Sequence, residues 1–339
     1  MKVLIIKTSS LGDLLHTFPA VTEAATVYPD IEFHWAVEEA LAEVPLWHPR
    51  VSKVIEVPWR RIRKLGASKL FFIELKQFYK KLREEKYDYV IDAQGLLKSA
   101  LITRFARGLR CGPDFSSARE PLASIFYQRH SKVSRWQHAN WRSKKLFASV
   151  LNYSANESVD CGIARNFLNK MSSKATENYL VFLHGTVWDS KLWPETSWRG
   201  LAKKCLEAGF SIKLVWGNEA ERKRAERLSF DERIQVMPRL SLTEVAEFLL
   251  SAKGVVSVDT GLAHLTAALC IPAVSIYGAT NASLTGAMGE NQFQIQSQFS
   301  CSPCLSRKCK INESLPPCYL EITPDRIFKA LCEMMEKNK

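Results

Sequence analysis

Four short segments carry the polar residues best placed to do chemistry. In KTSSLGDLLHTFPA (7–20), the small residues Thr8, Ser9 and Ser10 separate an apolar strand from Gly12 and Asp13, which open a helix. Open α/β sheets present catalytic groups to a ligand at such a junction. Asp13 is therefore a candidate general base for a substrate hydroxyl, although Asp13 or Ser10 would serve equally as the cap of that helix. The Gly-x4-Gly-Lys-Ser/Thr spacing of a nucleotide P-loop is missing. In FLHGTVWDSKLWPETSW (182–198), Thr186 and Lys191 are candidates to meet a phosphate, one as hydrogen-bond donor and one as point charge. A solvated loop lysine is the plainer reading of Lys191, and Trp188, Trp193 and Trp198 read as core or interface anchors rather than substrate platforms.

SVDTGLAHLTAAL (257–269) runs from a strand through Asp259, Thr260 and Gly261 into a helix bearing His264. Free N–H groups and the positive dipole end of that helix suit a pyrophosphate; an ordinary Asp/Thr cap with a half-buried His264 fits equally well. In KLVWGNEAERKRAERL (213–228), Glu219 or Glu221 lies in a first helical turn, able to accept from ribose hydroxyls or merely to complement the dipole. Two basic groups stand near the first segment's half of the chain: WRRIRK, with Arg60, Arg63 and Lys64, and the surroundings of Arg119. Arginine forks suit carboxylates and phosphates.

The elements that must position these residues come in two runs. Alternating strand and helix signals place strands over 2–7, 32–37, 53–57 and 87–92, with helices over 13–27, 69–85, 96–107 and 138–150. After a polar stretch over 151–178, the alternation restarts with strands over 179–184, 211–216, 234–236, 254–258 and 273–276. Helices lie between them over 195–208, 219–228, 241–251 and 261–269, and an amphipathic helix over 324–337 closes the chain. This rhythm belongs to doubly wound, mainly parallel sheets, and two such halves are expected to face one another across a cleft. No repeat of sequence relates them.

The net charge of +12 calls for an anionic partner: nucleic acid, an acidic lipid surface, or a phosphorylated or carboxylated substrate. RNA recognition by stacking wants aromatics interleaved with the basic loops. Those are lacking, so nucleic acid is not expected. The apolar stretch near the start spans only Val3 to Ile6 between lysines, and no run approaches the roughly 18–20 residues that cross a bilayer. A cytoplasmic protein is the expectation, and its nine cysteines are then not a disulfide framework. Four of them, Cys301, Cys304, Cys309 and Cys318, are spaced C-x2-C-x4-C-x8-C and could hold a structural zinc or iron–sulfur centre; free thiols or a redox-labile pair are the equal alternative.

Taken in order, KTSSLGDLLHTFPA, YDYVIDAQGLLKSA, SAREPLASIFY, FLHGTVWDSKLWPE, KLVWGNEAERKRAERL and VVSVDTGLAHLTAAL resemble the bacterial heptosyltransferases of lipopolysaccharide core assembly, over about residues 1–290. The likeness is greatest to the branch that adds the first heptose. The resemblance implies a GT-B architecture, two Rossmann-like doubly wound domains facing a central cleft. Residues 1–165 would bind the acceptor and 175–320 the nucleotide-sugar donor, with a C-terminal helix over 321–339 across the back. It implies inverting, single-displacement transfer of heptose from ADP-heptose to a Kdo sugar of Kdo-lipid A. No cofactor is required for that catalysis, and the protein would sit at the cytoplasmic face of an anionic inner membrane, held by charge.

Carried over residue by residue, Asp13 is the base and Lys191 stabilises the departing ADP. Thr186, Val187, Glu221, Asp259, Thr260, Gly261 and His264 bind the donor, and Ser10, Gly12, Arg60, Arg63, Lys64 and Arg119 bind the acceptor. Gly185 and Val187 stand where small or hydroxylic residues are expected, so one phosphate contact is expected to be lost. From about residue 292 the tail looks more like the branch that adds the second heptose. Transfer onto an attached heptose is thus the alternative, with a basic RNA-binding protein on the same scaffold as the rival from another class.

Overall fold

The computed structural model describes residues 1–65, 68–170, 178–312 and 315–337. The middle of the expected linker, 171–177, which includes the first residues of the expected donor domain, and residues 338–339 of the expected C-terminal helix lie outside the described residues. The chain divides into two compact units, Met1–Asn166 and Phe167–Lys339.

The first unit is built on six parallel strands: β1 (Lys2–Ile6), β2 (Glu32–Glu38), β3 (Val51–Val57), β4 (Lys86–Asp92), β5 (Arg107–Pro113) and β6 (Arg129–Ser131). Their order is β3-β2-β1-β4-β5-β6. The second unit has β7 (Tyr179–Leu183), β8 (Ser211–Leu214), β9 (Ile234–Val236), β10 (Gly254–Val258), β11 (Ala273–Tyr277) and β12 (Gln292–Gln296), in the order β12-β11-β10-β7-β8-β9. Counted within each unit, both sheets follow the 3-2-1-4-5-6 order of a Rossmann fold. The two units thus repeat one topology without repeating a sequence. A strand covered on both faces needs only to be apolar throughout, and β7 and β10, YLVFL and GVVSV, are buried along their whole length.

The strands missing from the sequence reading are β5, β6 and β12. They carry Arg, His and Gln and lie at or next to a sheet edge, where one side needs no apolar cover. The helix expected over 13–27 is instead two helices, Leu11–Leu15 and Phe18–Val27. Pro19 sits in the first turn of the second helix; it has no N–H to give to the carbonyl of Leu15, and its ring would collide there. The first helix is closed by Thr17 N–H donating to the Leu14 carbonyl at 2.9 Å. The break makes the turn that carries Asp13 a separate element.

WRRIRK is also helical, within Trp59–Leu65. The helix is held by buried Ile62 and by Trp59 edge-on to Phe78, with ring centroids 6.1 Å apart. The C-terminal helix, Pro324–Glu336, packs on the sheet of its own unit and on the helix Glu195–Glu207, with Ile327 and Leu331 fully buried. No helix among the described residues is long and apolar enough to cross a membrane.

Candidate functional site

In each unit the chain reverses direction across the sheet between the first and fourth strands, and ligands of open α/β sheets bind outside the carboxyl ends of the strands at that point. The candidate residues gather there in both units.

In the first unit this point lies between β1 and β4. The one-turn helix Leu11–Leu15 follows β1, with Ser10 as its N-cap. The Ser10 amide and hydroxyl donate to Asp13 Oδ2 at 3.0 and 3.1 Å. Asp13 is therefore a cap, as elementary sequence reading allowed. The cap occupies one oxygen only, and no bond to Oδ1 is made among the described residues. Burial works against ionisation of this carboxyl, but the Lys7 ammonium, the Ser10 amide, His16 and the Ser10 hydroxyl outweigh it and hold the group down at about 2.

Asp13 is consequently a carboxylate throughout the physiological range. If Asp13 is the general base that the resemblance implies, a base this weak would take a proton only as the new bond forms, because the attacking hydroxyl becomes acidic only then. Asp13 should add no inflection to a pH profile of kcat/KM between pH 4 and 9. An acid limb centred between pH 5 and 7 that vanishes in Asp13→Glu would contradict this. The sign for stability is the usual carboxylate one: the folded-state value is depressed, so the stabilisation is present above the unfolded value near 3.8 and is lost as pH falls toward about 2.

Beside Asp13 stands a buried polar frame. Lys7 donates to the carbonyl of Ala93 at 2.9 Å. Asp92, ending β4, accepts from the amides of Gln94 and Gly95 and from the hydroxyls of Ser99 and Tyr127, all within 3.0 Å. Burial raises its carboxyl despite those four donors. Gly95 has φ +68°, and a Cβ there would stand 3.2 Å from the amide of Arg119. This glycine lets the Arg119 segment lie against the end of β4, and the Glu120 amide donates to the Gly95 carbonyl at 2.9 Å.

Arg119 acts electrostatically on Lys7 and on Arg142, and Asp13 attracts both of those groups. Arg135 also acts on Arg142. Arg142 Nε is buried without a hydrogen-bond partner among the described residues. Arg142 and Arg135 were not singled out by sequence reading. Arg142 lies on the helix Ala139–Leu151, more than a hundred residues from Asp13, and one arginine among helical lysines carries no local signal. Arg60, Arg63 and Lys64 follow β3: Arg60 Nε is 2.9 Å from Glu38 Oε2 at the end of β2, and Arg63 and Lys64 are exposed. None of the three is among the leading charges on Asp13, Lys7 or Arg142.

In the second unit the corresponding point lies between β7 and β10. Thr186 Oγ1 donates to the Asp259 carbonyl at 2.9 Å, tying the loop after β7 to the end of β10. Lys191 Nζ is 2.7 Å from Asp259 Oδ2, which also accepts from Thr280 Oγ1 at 2.5 Å. The same ammonium lies 4.6 Å from the ring centroid of Trp188. Lys191 is thus no solvated loop lysine; its side chain is 17% exposed. Trp193 and Trp198, as expected, are core residues. Thr260 stands at the N-cap position of the helix Gly261–Ala268 without a side-chain capping bond, and His264 is buried on that helix.

Glu221 lies in the first turn of the helix Glu219–Leu228 and accepts from the Gly217 amide at 2.7 Å. It also explains Gly185. A Cβ on Gly185 would fall 2.5 Å from Glu221 Cδ, so the glycine is the space the carboxylate occupies. With Glu221 on the ribose of ADP, as the resemblance implies, Gly185→Ala should displace it and weaken ADP binding about tenfold, roughly one lost charge-assisted hydrogen bond, which calorimetric titration would measure. Unchanged affinity would mean that Glu221 does not touch the nucleotide. Val187 is 94% exposed, so its side chain lines nothing within this unit. His184, buried at the end of β7, has both ring nitrogens without partners among the described residues; burial and the nearby Arg224 push it down to about 3, so it is neutral.

The tail supports the turn that carries Lys191. Ser190 donates to the carbonyls of Arg307 and Ser306 at 3.2 and 2.5 Å, and Tyr319 Oη donates to the Ser190 carbonyl at 3.0 Å. The four clustered cysteines of this tail are free: Cys301 and Cys304 are exposed, Cys309 is partly exposed and Cys318 is buried. Burial, with Cys301, Cys309 and Cys304 nearby, pushes the Cys318 thiol up to about 12. No group of three or more His, Cys, Asp or Glu is placed to hold a metal ion among the described residues.

Two doubly wound units, each with its polar residues at the switch point, are the organisation of a GT-B glycosyltransferase. The model of glycosyltransferase family 9 (heptosyltransferase) matches residues 75–314. Lipopolysaccharide heptosyltransferase 1 of Pseudomonas aeruginosa is 47% identical, covering 99% of this chain and 98% of its own. The solved structure of E. coli heptosyltransferase WaaC with ADP is 43% identical with a TM-score of 0.88, covering 98% of this chain and all of that one. Lipopolysaccharide heptosyltransferase 2 of Escherichia coli K12 stands further off at 24%, over 98% of this chain and 97% of its own. The chain belongs to glycosyltransferase family 9, the heptosyltransferases.

Proposed function

We propose that this enzyme transfers L-glycero-D-manno-heptose from ADP-heptose to Kdo of Kdo-lipid A, with inversion in one displacement. The observation that carries the donor half is Lys191 beside Asp259 at the start of the helix Gly261–Ala268. The ammonium and the amide-bearing start of that helix would together favour the charge of a departing ADP. In the step itself the acceptor oxygen bonds to the anomeric carbon while the carbon–oxygen bond to ADP breaks. The hydroxyl proton passes to Asp13, and the electron pair leaves on the β-phosphate. Thr186, Thr260 and Gly261 would meet the phosphates, with Asp259 and His264 lining the donor site, and Glu221 would accept from the ribose hydroxyls. Arg119 and Arg142 would hold the Kdo carboxylate beside Asp13, with Arg60, Arg63 and Lys64 meeting more distal charge. Kdo rather than an attached heptose is favoured as acceptor by the 47% identity to a heptosyltransferase 1 against 24% to a heptosyltransferase 2.

ADP release decides the matter. Release that needs both ADP-heptose and Kdo-lipid A supports the reading. Release only after the first heptose is attached moves the enzyme to the second step. Silence with both acceptors, together with salt-sensitive RNA binding, would favour the rival class.

A further inference from the structure

The helix Lys69–Arg83, KLFFIELKQFYKKLR, buries only Phe78 and Leu82, which join the core of the first unit with Ile55, Val57 and Tyr87. Its outward side is unusual. Leu70, Phe72, Ile73 and Tyr79 are 58%, 62%, 41% and 40% exposed, among Lys69, Lys76, Lys80, Lys81 and Arg83. Lys69, Phe72, Ile73, Lys76, Lys80 and Arg83 recur at three- and four-residue spacings and so share one stripe, opposite the buried pair. The one acid of the helix, Glu74, is taken by Arg61 at 2.8 Å. The helix Trp59–Leu65 packs alongside and continues the positive charge with exposed Arg63 and Lys64.

Single exposed apolar residues are ordinary; four on one short helix, interleaved with five cations and no unpaired acid, are not. The interleaving distinguishes the kind of partner. Protein interfaces place apolar residues at the centre and exclude lysine from it. A helix lying in a bilayer surface mixes them, because long cationic side chains reach up to lipid phosphates while neighbouring rings and branched chains sink. We infer that this helix docks the first unit onto an anionic lipid bilayer, with Phe72 and Ile73 entering the boundary between headgroups and acyl chains and Lys69, Lys76, Lys80 and Arg83 meeting headgroup phosphates. The inference rests on the lipid-linked acceptor proposed above, and it differs from docking by charge alone.

The test uses the whole chain with vesicles of phosphatidylcholine, with and without phosphatidylglycerol. The parent should sediment with the anionic vesicles only. Phe72→Ser/Ile73→Ser should lose about tenfold in partitioning, as should Lys76→Glu/Lys80→Glu. Both variants should melt with the parent and turn over a soluble, deacylated Kdo acceptor at the parent rate. Phe72→Trp should shift its emission to the blue when anionic vesicles are added. The inference is overturned if the Ser/Ser variant binds vesicles like the parent, if the Trp emission does not move, or if the Ser/Ser variant changes only the oligomeric state in sedimentation velocity. Failure of the parent on the soluble acceptor would instead count against the proposed reaction, whatever the vesicles show.

Discussion

Asp13→Ala should lower kcat for heptose transfer by roughly 10²–10⁴-fold, the usual worth of a positioned general base. The carboxylate sits one turn past the carboxyl end of β1, ionised, with Oδ2 held by Ser10 and Oδ1 without a partner among the described residues. Lys7 and Arg142 feel its charge, and Arg119 acts on both of them in turn, so an acidic acceptor would be drawn to the same spot. The alanine also removes a helix cap, which costs about 1 kcal/mol, so loss of rate alone would not prove the role. Asp13→Asn separates the two effects. Its amide oxygen can still accept from Ser10 but cannot take a proton, so it should melt close to the parent and lose nearly as much rate as alanine does. ADP binding, which the proposed reading gives to the other unit, should be unaltered in both. An asparagine variant within threefold of the parent in kcat would remove Asp13 from the reaction and leave it as a cap.

Lys191→Ala carries the second large effect. The ammonium lies 2.7 Å from Asp259 and against the ring of Trp188, and one donor lost at a site of developing negative charge typically costs about 10²–10³-fold in kcat. A further consequence follows from the pair. Without Lys191, Asp259 keeps its bond from Thr280 but holds an uncompensated negative charge beside the helix start where the phosphates would bind. Donor affinity should therefore fall as well, by about tenfold for one like-charge contact at a partly buried site. Adding Asp259→Asn removes that repulsion. The double variant should regain most of the ADP affinity in a calorimetric titration while kcat stays low. If affinity and rate recover together, Lys191 acts only by neutralising Asp259. If neither recovers, its direct contact with the nucleotide dominates.

Much of the scaffold is legible along the chain, because burial on both faces of a parallel strand leaves a local mark. The strands β9 and β10 and the helix Glu219–Leu228 fall where apolar runs and cap residues put them. The junctions carrying Asp13, Lys191, Glu221 and Asp259 follow from the same alternation, and likeness to a known family supplied their roles. Edge strands escaped because they need no apolar cover, and the helix broken before Pro19 escaped because its period runs on across the break.

What tertiary structure alone decided is which of these segments touch. Arg142 in the field of Asp13, with its Nε unpartnered among the described residues, the pairing of Lys191 with Asp259, the hollow at Gly185 filled by Glu221 and the buttress of the tail under Ser190 all join residues dozens to more than a hundred positions apart. The periodicity of a sequence records how deeply each residue is buried. It does not record that β4 lies beside β1, or β10 beside β7. That adjacency comes from the strand order, and it brings these charges together.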